Sequence, residues 1–265
     1  MTGDDLYISD LHLSPATPER NALFKRFLSH HCEGAHSLTI VGDFFNAYAG
    51  YKQLAYAFYR DLCLALSGLA KRGVEIHFVA GNRDFLFTRD AKRFGIAGHD
   101  EWCTRQCGTI RVIAHHGDAF CLNDRAHLRY RAVMRRLPLH FINHITPAWF
   151  GQWVVGGMRR SSQNRKERYA AEPNDRWDIQ NRATIPFIRE TGCDILICGH
   201  IHRPQERLYY FGTRAARMLV LGEWDGGSAI MAVGRGSDVQ LCRLTLDALV
   251  PWPHELASGS GEAKS

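Results

Sequence analysis

Residues 194–204 read DILICGHIHRP: an apolar run over 195–198 that stops at Gly199 and is followed by His200 and His202, two residues apart. A short apolar run bounded by turn residues fits a fully buried strand. In open α/β sheets, ligands gather outside the carboxyl ends of the strands, where loops converge. On an extended backbone the spacer of H-x-H sends both imidazoles to one side. The expectation is a central strand that delivers two histidines, facing the same way, to one site.

Four earlier stretches end in the same manner: LYISDLHL (6–13), SLTIVGDFF (37–45), VEIHFVAGNRD (74–84) and GTIRVIAHHGD (108–118). They deliver Asp10 and His12, then Asp43, then Asn82, then His116. Singly, Asp10 and Asp43 read as helix caps, Asn82 as a turn residue and His116 as a hydrogen-bonded core histidine. Joined by His200 and His202, they make a set of imidazole, carboxylate and amide donors suited to Mn²⁺, Fe²⁺ or Zn²⁺ rather than a thiolate site. His115 adjoins His116; the H-G-D spacing selects His116 and leaves His115 as a packed neighbour.

Between the early segments, apolar residues recur at spacings of three and four over 19–32 and 51–72, which predicts helices. Strands alternating with helices indicate an α/β layered domain. Residues 217–244 read as consecutive antiparallel strands with glycine turns, and the polar tail over 254–265 as disordered. Residues 123–175 break the pattern. There, Arg125, Arg129, Arg131, Arg135, Arg159 and Lys166 flank the apolar window LPLHFINHITPAWFGQWVVGGM (137–158). A solvated basic helix pair would not need Trp149, Trp153 and Val154 between its charges. The reading is a helical insertion over the active face, with a core formed by 1–122 and 176–250.

The chain of 265 residues is long enough to bury a core without staples. Its eight cysteines include no CxxC pair and several sit in apolar runs, which suits a reducing compartment. The start MTGDDLYISD carries no basic region followed by an apolar stretch, so no secretion signal is expected. No window reaches the roughly 18 to 20 apolar residues of a membrane span, since His140, Asn143, His144, Pro147 and Gln152 interrupt the richest one. The expectation is a cytoplasmic enzyme. A net charge of +6 favours anionic partners.

The order D-x-H, G-D, G-N-x-D, H, G-H-x-H, standing here as SDLHL, VGDFF, AGNRDF, HHGD and CGHIH, resembles the calcineurin-like metallophosphoesterase superfamily. The resemblance runs from residue 6 to 202. It implies an α/β fold, α+β in its layering: a two-sheet β-sandwich flanked by helices, with 123–175 as a helical cap. It also implies that Asp10, His12 and His202 bind one metal ion, that Asn82, His116 and His200 bind a second, and that Asp43 bridges them. Two ions about 3.5–4 Å apart support in-line attack of water on phosphorus.

Many superfamily members place a histidine after the asparagine, where it protonates the leaving group; Arg83 stands there in this chain. Arginine, with a pKa of about 12.5 or more, is no general acid at neutral pH. It clamps phosphate oxygens instead. A phosphate leaving group needs little protonation, so the site suits a phosphoanhydride. With GNRDFL, HGDAFCLND and the insertion, the chain resembles the UDP-2,3-diacylglucosamine diphosphatases of lipid A biosynthesis. That resemblance implies attack at the α-phosphorus, yielding UMP and 2,3-diacylglucosamine 1-phosphate, usually with Mn²⁺. It implies peripheral placement at the cytoplasmic face of the inner membrane, catalytic roles for Asp43, Arg83 and His200, and substrate contacts from Asn82, Arg83, Asp124 and His200. In the cap, an ungapped match sets further contacts at Ser162 and Lys166, and a small shift recruits Asn164. The family usually carries an acidic residue where Asn46 stands.

Two other readings are weighed against this one. A metallophosphoesterase for another phosphodiester or phosphoanhydride would share every metal ligand and differ in its cap. A non-catalytic binding module would hold metal structurally; such scaffolds tend to lose ligands, and none is missing here. No nucleic acid partner is expected, because the cap's bulk hinders a long polymer.

Overall fold

A computed structural model describes residues 3–136, 178–225 and 227–252. The cap residues Trp149, Trp153, Val154, Ser162, Asn164 and Lys166, and the tail over 254–265, lie outside the described residues. The first strands are β1 (Asp5–Ile8), β2 (Ser37–Val41), β3 (Glu75–Val79) and β4 (Ala97–His99), which pair in parallel. They alternate with helices α1 (Pro18–His30), α2 (Ala57–Lys71) and the short α3 (Phe87–Ala91). The chain then enters a second sheet through β5 (Trp102–Cys107) and β6 (Ile110–His115). After α4 (Arg125–Arg136) and α5 (Asn181–Thr191) come β7 (Ile195–Cys198), β8 (Gln205–Phe211) and β9 (Arg214–Val220). The chain finally returns to the first sheet as β10 (Ser228–Arg235), β11 (Asp238–Thr245) and β12 (Leu249–Pro251). The seven-stranded order is β12-β11-β10-β1-β2-β3-β4, and the five-stranded order is β5-β6-β7-β9-β8.

Three apolar layers follow from strand alternation. Leu6 and Ile8 of β1 face α1, packing with Leu23, Phe24 and Phe27, whereas Tyr7 points between the sheets. In β7, Ile195 and Ile197 join that inter-sheet layer, and Leu196 and Cys198 pack under Ile188 of α5. Burial on both faces explains why these strands read as unbroken apolar runs. The result is the expected α/β arrangement of two sheets with helices outside.

Two expectations are corrected. Over 51–72, Tyr51–Ala55 form a 3₁₀ turn and Tyr56 is extended, so the α-helix begins only at Ala57. The run over 217–244 is not one set of consecutive antiparallel strands, because β9 pairs in parallel with β7 while β10 and β11 lie in the other sheet. The crossing falls at 221–225, where the fully buried Trp224 packs edge-on against Phe24 and Phe27. An apolar run that supplies two cores carries no mark of where it changes sheet.

Candidate metal centre

The loops after β1, β2, β3, β6 and β7 converge at the carboxyl edge of the two sheets. In the loops after β1, β2 and β7 the ligand-bearing backbone is not extended. Asp10 (φ 56°), His12 (50°), Asp43 (51°), His200 (71°) and His202 (56°) all adopt left-handed geometry. Strand-like alternation is therefore not what aims D-x-H and H-x-H; alternation ends at Ile8 and Cys198, and left-handed residues separated by one spacer take over. Each such residue costs roughly 1–2 kcal/mol, least for aspartate, asparagine and histidine. Cross-loop bonds hold the turns, from Asp10 N–H to Gly42 O (3.2 Å), His12 N–H to Asp43 O (2.9 Å) and His200 N–H to Asp10 Oδ2 (2.9 Å). Gly199 permits this approach, since a Cβ there would sit 1.9 Å from Ser9 Oγ and 2.4 Å from Asp10 Oδ2.

His200 and His202 consequently diverge. His202 Nε2 lies 3.3 Å from His12 Nε2 and 3.2 Å from Asp10 Oδ1. His200 Nδ1 turns to Asn82 Oδ1 at 3.2 Å, which also faces His116 Nε2 at 3.1 Å. Asp43 stands between the two groups, with Oδ2 3.8 Å from His12 Nδ1 and Oδ1 3.7 Å from His116 Nε2. All seven side chains expected at the centre are thus brought together. His115 is turned away, its Nδ1 accepting from Gly117 N–H (2.8 Å) and its ring 4.4 Å from that of Phe120.

The donor chemistry fits divalent cations. His116 Nδ1 sits 2.9 Å from Val41 O, a contact that requires the proton on Nδ1. Its Nε2, facing the amide oxygen of Asn82 at 3.1 Å, is the nitrogen left to meet a cation. His202 repeats the arrangement, with Nδ1 2.8 Å from Glu223 Oε2 and Nε2 directed at Asp10. Asp10 Oδ1 is buried and faces His202 Nε2 at 3.2 Å and His12 Nε2 at 3.9 Å. Buried carboxylate, amide and imidazole groups that converge in this way need a positive charge among them, supplied either by protons on the imidazoles or by a cation that replaces those protons.

Burial opposes charge on Asp10, yet His202, His116 and Ser9 hold its carboxyl well below the usual range. Burial likewise opposes charge on His202, but Asp10 and Glu223 outweigh it and lift the ring to about 9. Asp43 is raised by burial against the pull of His116 and Arg83. For His200, burial and the neighbouring His116 and His127 keep the imidazole neutral.

Several supporting residues escaped the sequence reading. Glu223, which also receives Arg20 Nη2 at 2.8 Å, fixes the tautomer and orientation of His202. It follows β9, whose carboxyl end lies beside that of β7, so the rule that located the other loops would have located it too. Asp84 accepts backbone N–H groups from Asp43 (3.2 Å), Phe45 (3.1 Å) and Gly81 (3.2 Å), tying two of the loops together. Burial and the nearby Asp43 raise its carboxyl to about 7.

Arg83 flanks the donors, with Nε 3.4 Å from Asp43 Oδ2 and Nη1 donating to Asn46 Oδ1 at 2.9 Å. Beside Asn82 a cleft is lined by Phe85, Asp118, His127, Tyr130 and Arg131. Asp118 anchors α4 through Arg131 Nε (2.9 Å) and His127 Nε2 (3.3 Å). Asp124 begins that helix, its Oδ1 accepting from His127 N–H at 2.9 Å.

The profile of calcineurin-like phosphoesterases matches residues 6–204. A protein named UDP-2,3-diacylglucosamine hydrolase from Aeromonas hydrophila subsp. hydrophila is 30% identical over 85% of this chain and 93% of its own length. Proteins of the same name from Pseudomonas fluorescens and Stenotrophomonas maltophilia are each 32% identical, over 83% and 87% of this chain and 87% and 95% of their own. Among solved structures, Vacuolar Protein Sorting 29 from Cryptosporidium parvum superposes with a TM-score of 0.45 at 17% identity, covering 91% of this chain and 90% of that one. With the profile spanning all five ligand-bearing loops, the chain belongs to the calcineurin-like phosphoesterase family.

Proposed function

We propose that the protein hydrolyses the diphosphate of UDP-2,3-diacylglucosamine, releasing UMP and 2,3-diacylglucosamine 1-phosphate, with two divalent ions, Mn²⁺ in the leading reading. The observation that carries this is the arginine set beside the donor cluster, Arg83 Nε 3.4 Å from Asp43 Oδ2, in a chain whose named relatives act on that lipid. Asp10, His12 and His202 would hold one ion; Asn82, His116 and His200 would hold the other; Asp43 would serve both. Bound there, the ions would polarise phosphoryl oxygens and make water a stronger nucleophile.

The chain's own groups do the rest. Arg83, steadied by Asn46, offers a planar fork to the diphosphate oxygens and stabilises charge on the departing sugar phosphate without giving up a proton. Neutral His200 keeps a lone pair for the centre, and Asn82 touches both the centre and the substrate cleft. Asp124, capping the start of α4 from the residue before it, sets the helix that walls this cleft. The insertion over 123–175 would take the acyl chains, with Ser162, Asn164 and Lys166 as candidate contacts. Each buried methylene contributes about 0.8 kcal/mol. Its basic residues suit the anionic lipid and a peripheral seat at the cytoplasmic face of the inner membrane. Among the described residues no helix is long and apolar enough to cross a membrane.

The test is hydrolysis of UDP-2,3-diacylglucosamine by Mn²⁺-loaded protein in ¹⁸O-water. Label in UMP is the expected result. Label in the sugar phosphate would overturn the assigned point of attack, and an uncleaved lipid beside a cleaved nucleotide diphosphate would overturn the substrate.

A further inference from the structure

A second donor cluster lies where the chain passes from one sheet to the other. His77 is on β3, His99 closes the edge strand β4, and Cys103 is the second residue of β5 in the opposite sheet. One ring nitrogen of each histidine and the Cys103 sulfur all lie within 4.8 Å of one another. His77 Nδ1 and His99 Nε2 face each other at 3.1 Å, with their rings stacked. None of these residues belongs to the catalytic centre.

Two features distinguish this cluster from an ordinary histidine pair at a sheet edge. His77 Nε2 is buried and has no hydrogen-bond partner among the described residues; Glu75 Oε2 is 3.6 Å away, in the direction of a carboxylate that orients a ligating imidazole. The cluster also ends a row of unpaired polar atoms between the sheets. Tyr7, Thr39 and His77 are register partners across β1, β2 and β3, and Tyr7 Oη, Thr39 Oγ1 and Arg105 Nε are likewise buried without partners. Arg105 places a positive charge nearby, but its Nη2 is bonded to Glu75 Oε2 at 2.7 Å, which balances it.

We infer that His77, His99 and Cys103 form a separate binding site for a borderline-to-soft transition metal of the zinc class, joining the edges of the two sheets. Zinc accepts such a set at about 2.0–2.1 Å to nitrogen and 2.3 Å to sulfur, separations this cluster reaches by small side-chain movements. His77 and His99 are only half-buried, the latter on the edge strand β4, so water would complete the set as a fourth ligand. The donor set differs from that of the catalytic centre, which contains oxygen and nitrogen but no sulfur. A thiolate signature therefore separates this site from the catalytic centre.

The experiment is cobalt(II) titration of the full, reduced chain, followed by absorption. A thiolate-to-cobalt charge-transfer band in the near ultraviolet is expected. Cys103→Ser and His99→Gln should remove that band while keeping the visible cobalt bands of the catalytic centre, and Cys107→Ser should keep both. Wild-type protein that saturates with cobalt and shows no thiolate band overturns the inference. So does a band that survives in folded Cys103→Ser. His99→Gln supplies a second variant, so a Cys103→Ser chain that does not fold leaves the test intact.

Discussion

Asp84 offers the sharpest test of how the centre is held. It touches none of the expected ligands through a side chain, yet its carboxylate accepts three backbone N–H groups, two at Oδ1 (Asp43 and Gly81) and one at Oδ2 (Phe45). Asp84→Asn keeps the shape. If its amide oxygen takes the Oδ1 position, two bonds survive and the NH₂ group confronts the Phe45 N–H, leaving one buried donor unpaired beside another donor. An unsatisfied buried donor costs about 1–3 kcal/mol. Relief of repulsion with Asp43, which helps raise the Asp84 carboxyl to about 7, offsets a part. The expected net loss is about 1–2 kcal/mol. Asp84→Ala strands all three donors and should lose more. Urea unfolding of apoprotein gives the stability change, and calorimetric Mn²⁺ titration gives the second readout, because Asp43 is displaced with its own backbone. Full stability together with unchanged Mn²⁺ affinity in Asp84→Asn would refute the role assigned to this carboxylate.

Other predictions follow from neighbouring contacts. Glu223→Gln removes the charge that orients His202 and should weaken metal binding about 10–100-fold, as read by Mn²⁺ titration; unchanged affinity would exclude Glu223 from the centre. Arg83→Ala should lower kcat/KM on a diphosphate substrate about 10–100-fold, the worth of a charge-assisted bond, with metal content measured by mass spectrometry unaltered. A loss of metal instead would make Arg83 a support for Asp43 alone. Burial depresses His115 to about 3, below its ordinary value, so between about pH 6.5 and pH 3 the unfolded chain binds the extra proton. Stability should be intact above that window and fall as acid is added through it. His115→Gln should show a shallower fall in urea midpoints between about pH 7.5 and pH 5; parallel curves would count against a buried neutral ring.

Much of the centre was legible because ligands on parallel strands must lie at carboxyl ends, and the apolar runs before Asp10, Asp43, Asn82, His116 and His200 show where strands stop. The layers were legible for the same reason. What failed was local. Alternation was extended past Ile8 and Cys198 into residues whose backbone is left-handed, a conformation that an aspartate or histidine accepts without any sequence mark. Strand β8, reading QERLYYF, hides its pairing because its ion pairs, such as Glu206 with Arg217, make a half-buried strand look polar. Glu223 lay in a stretch read as antiparallel strands with glycine turns, and the carboxyl-end rule reaches it only once β9 is known to run parallel to β7.

The left-handed residues connect these points. Every non-glycine left-handed position among the described residues is an aspartate or a histidine, and every one is an expected metal ligand. These residue types tolerate that backbone better than most, so the demands of coordination and of geometry select the same side chains. The strain is sustained by Asp84, by Asp10 Oδ2, which accepts from both Ser9 Oγ (2.6 Å) and His200 N–H, and by glycines that admit no Cβ. Such a framework can be formed before any cation arrives, which preorganises the donors and spares the binding step the cost of ordering several loops. It also means that replacing a ligand by alanine changes the backbone preference as well as the donor. Loss of activity in Asp43→Ala therefore measures two effects, and Asp43→Asn, which keeps the tolerance for left-handed geometry while removing the charge, is the variant that separates them.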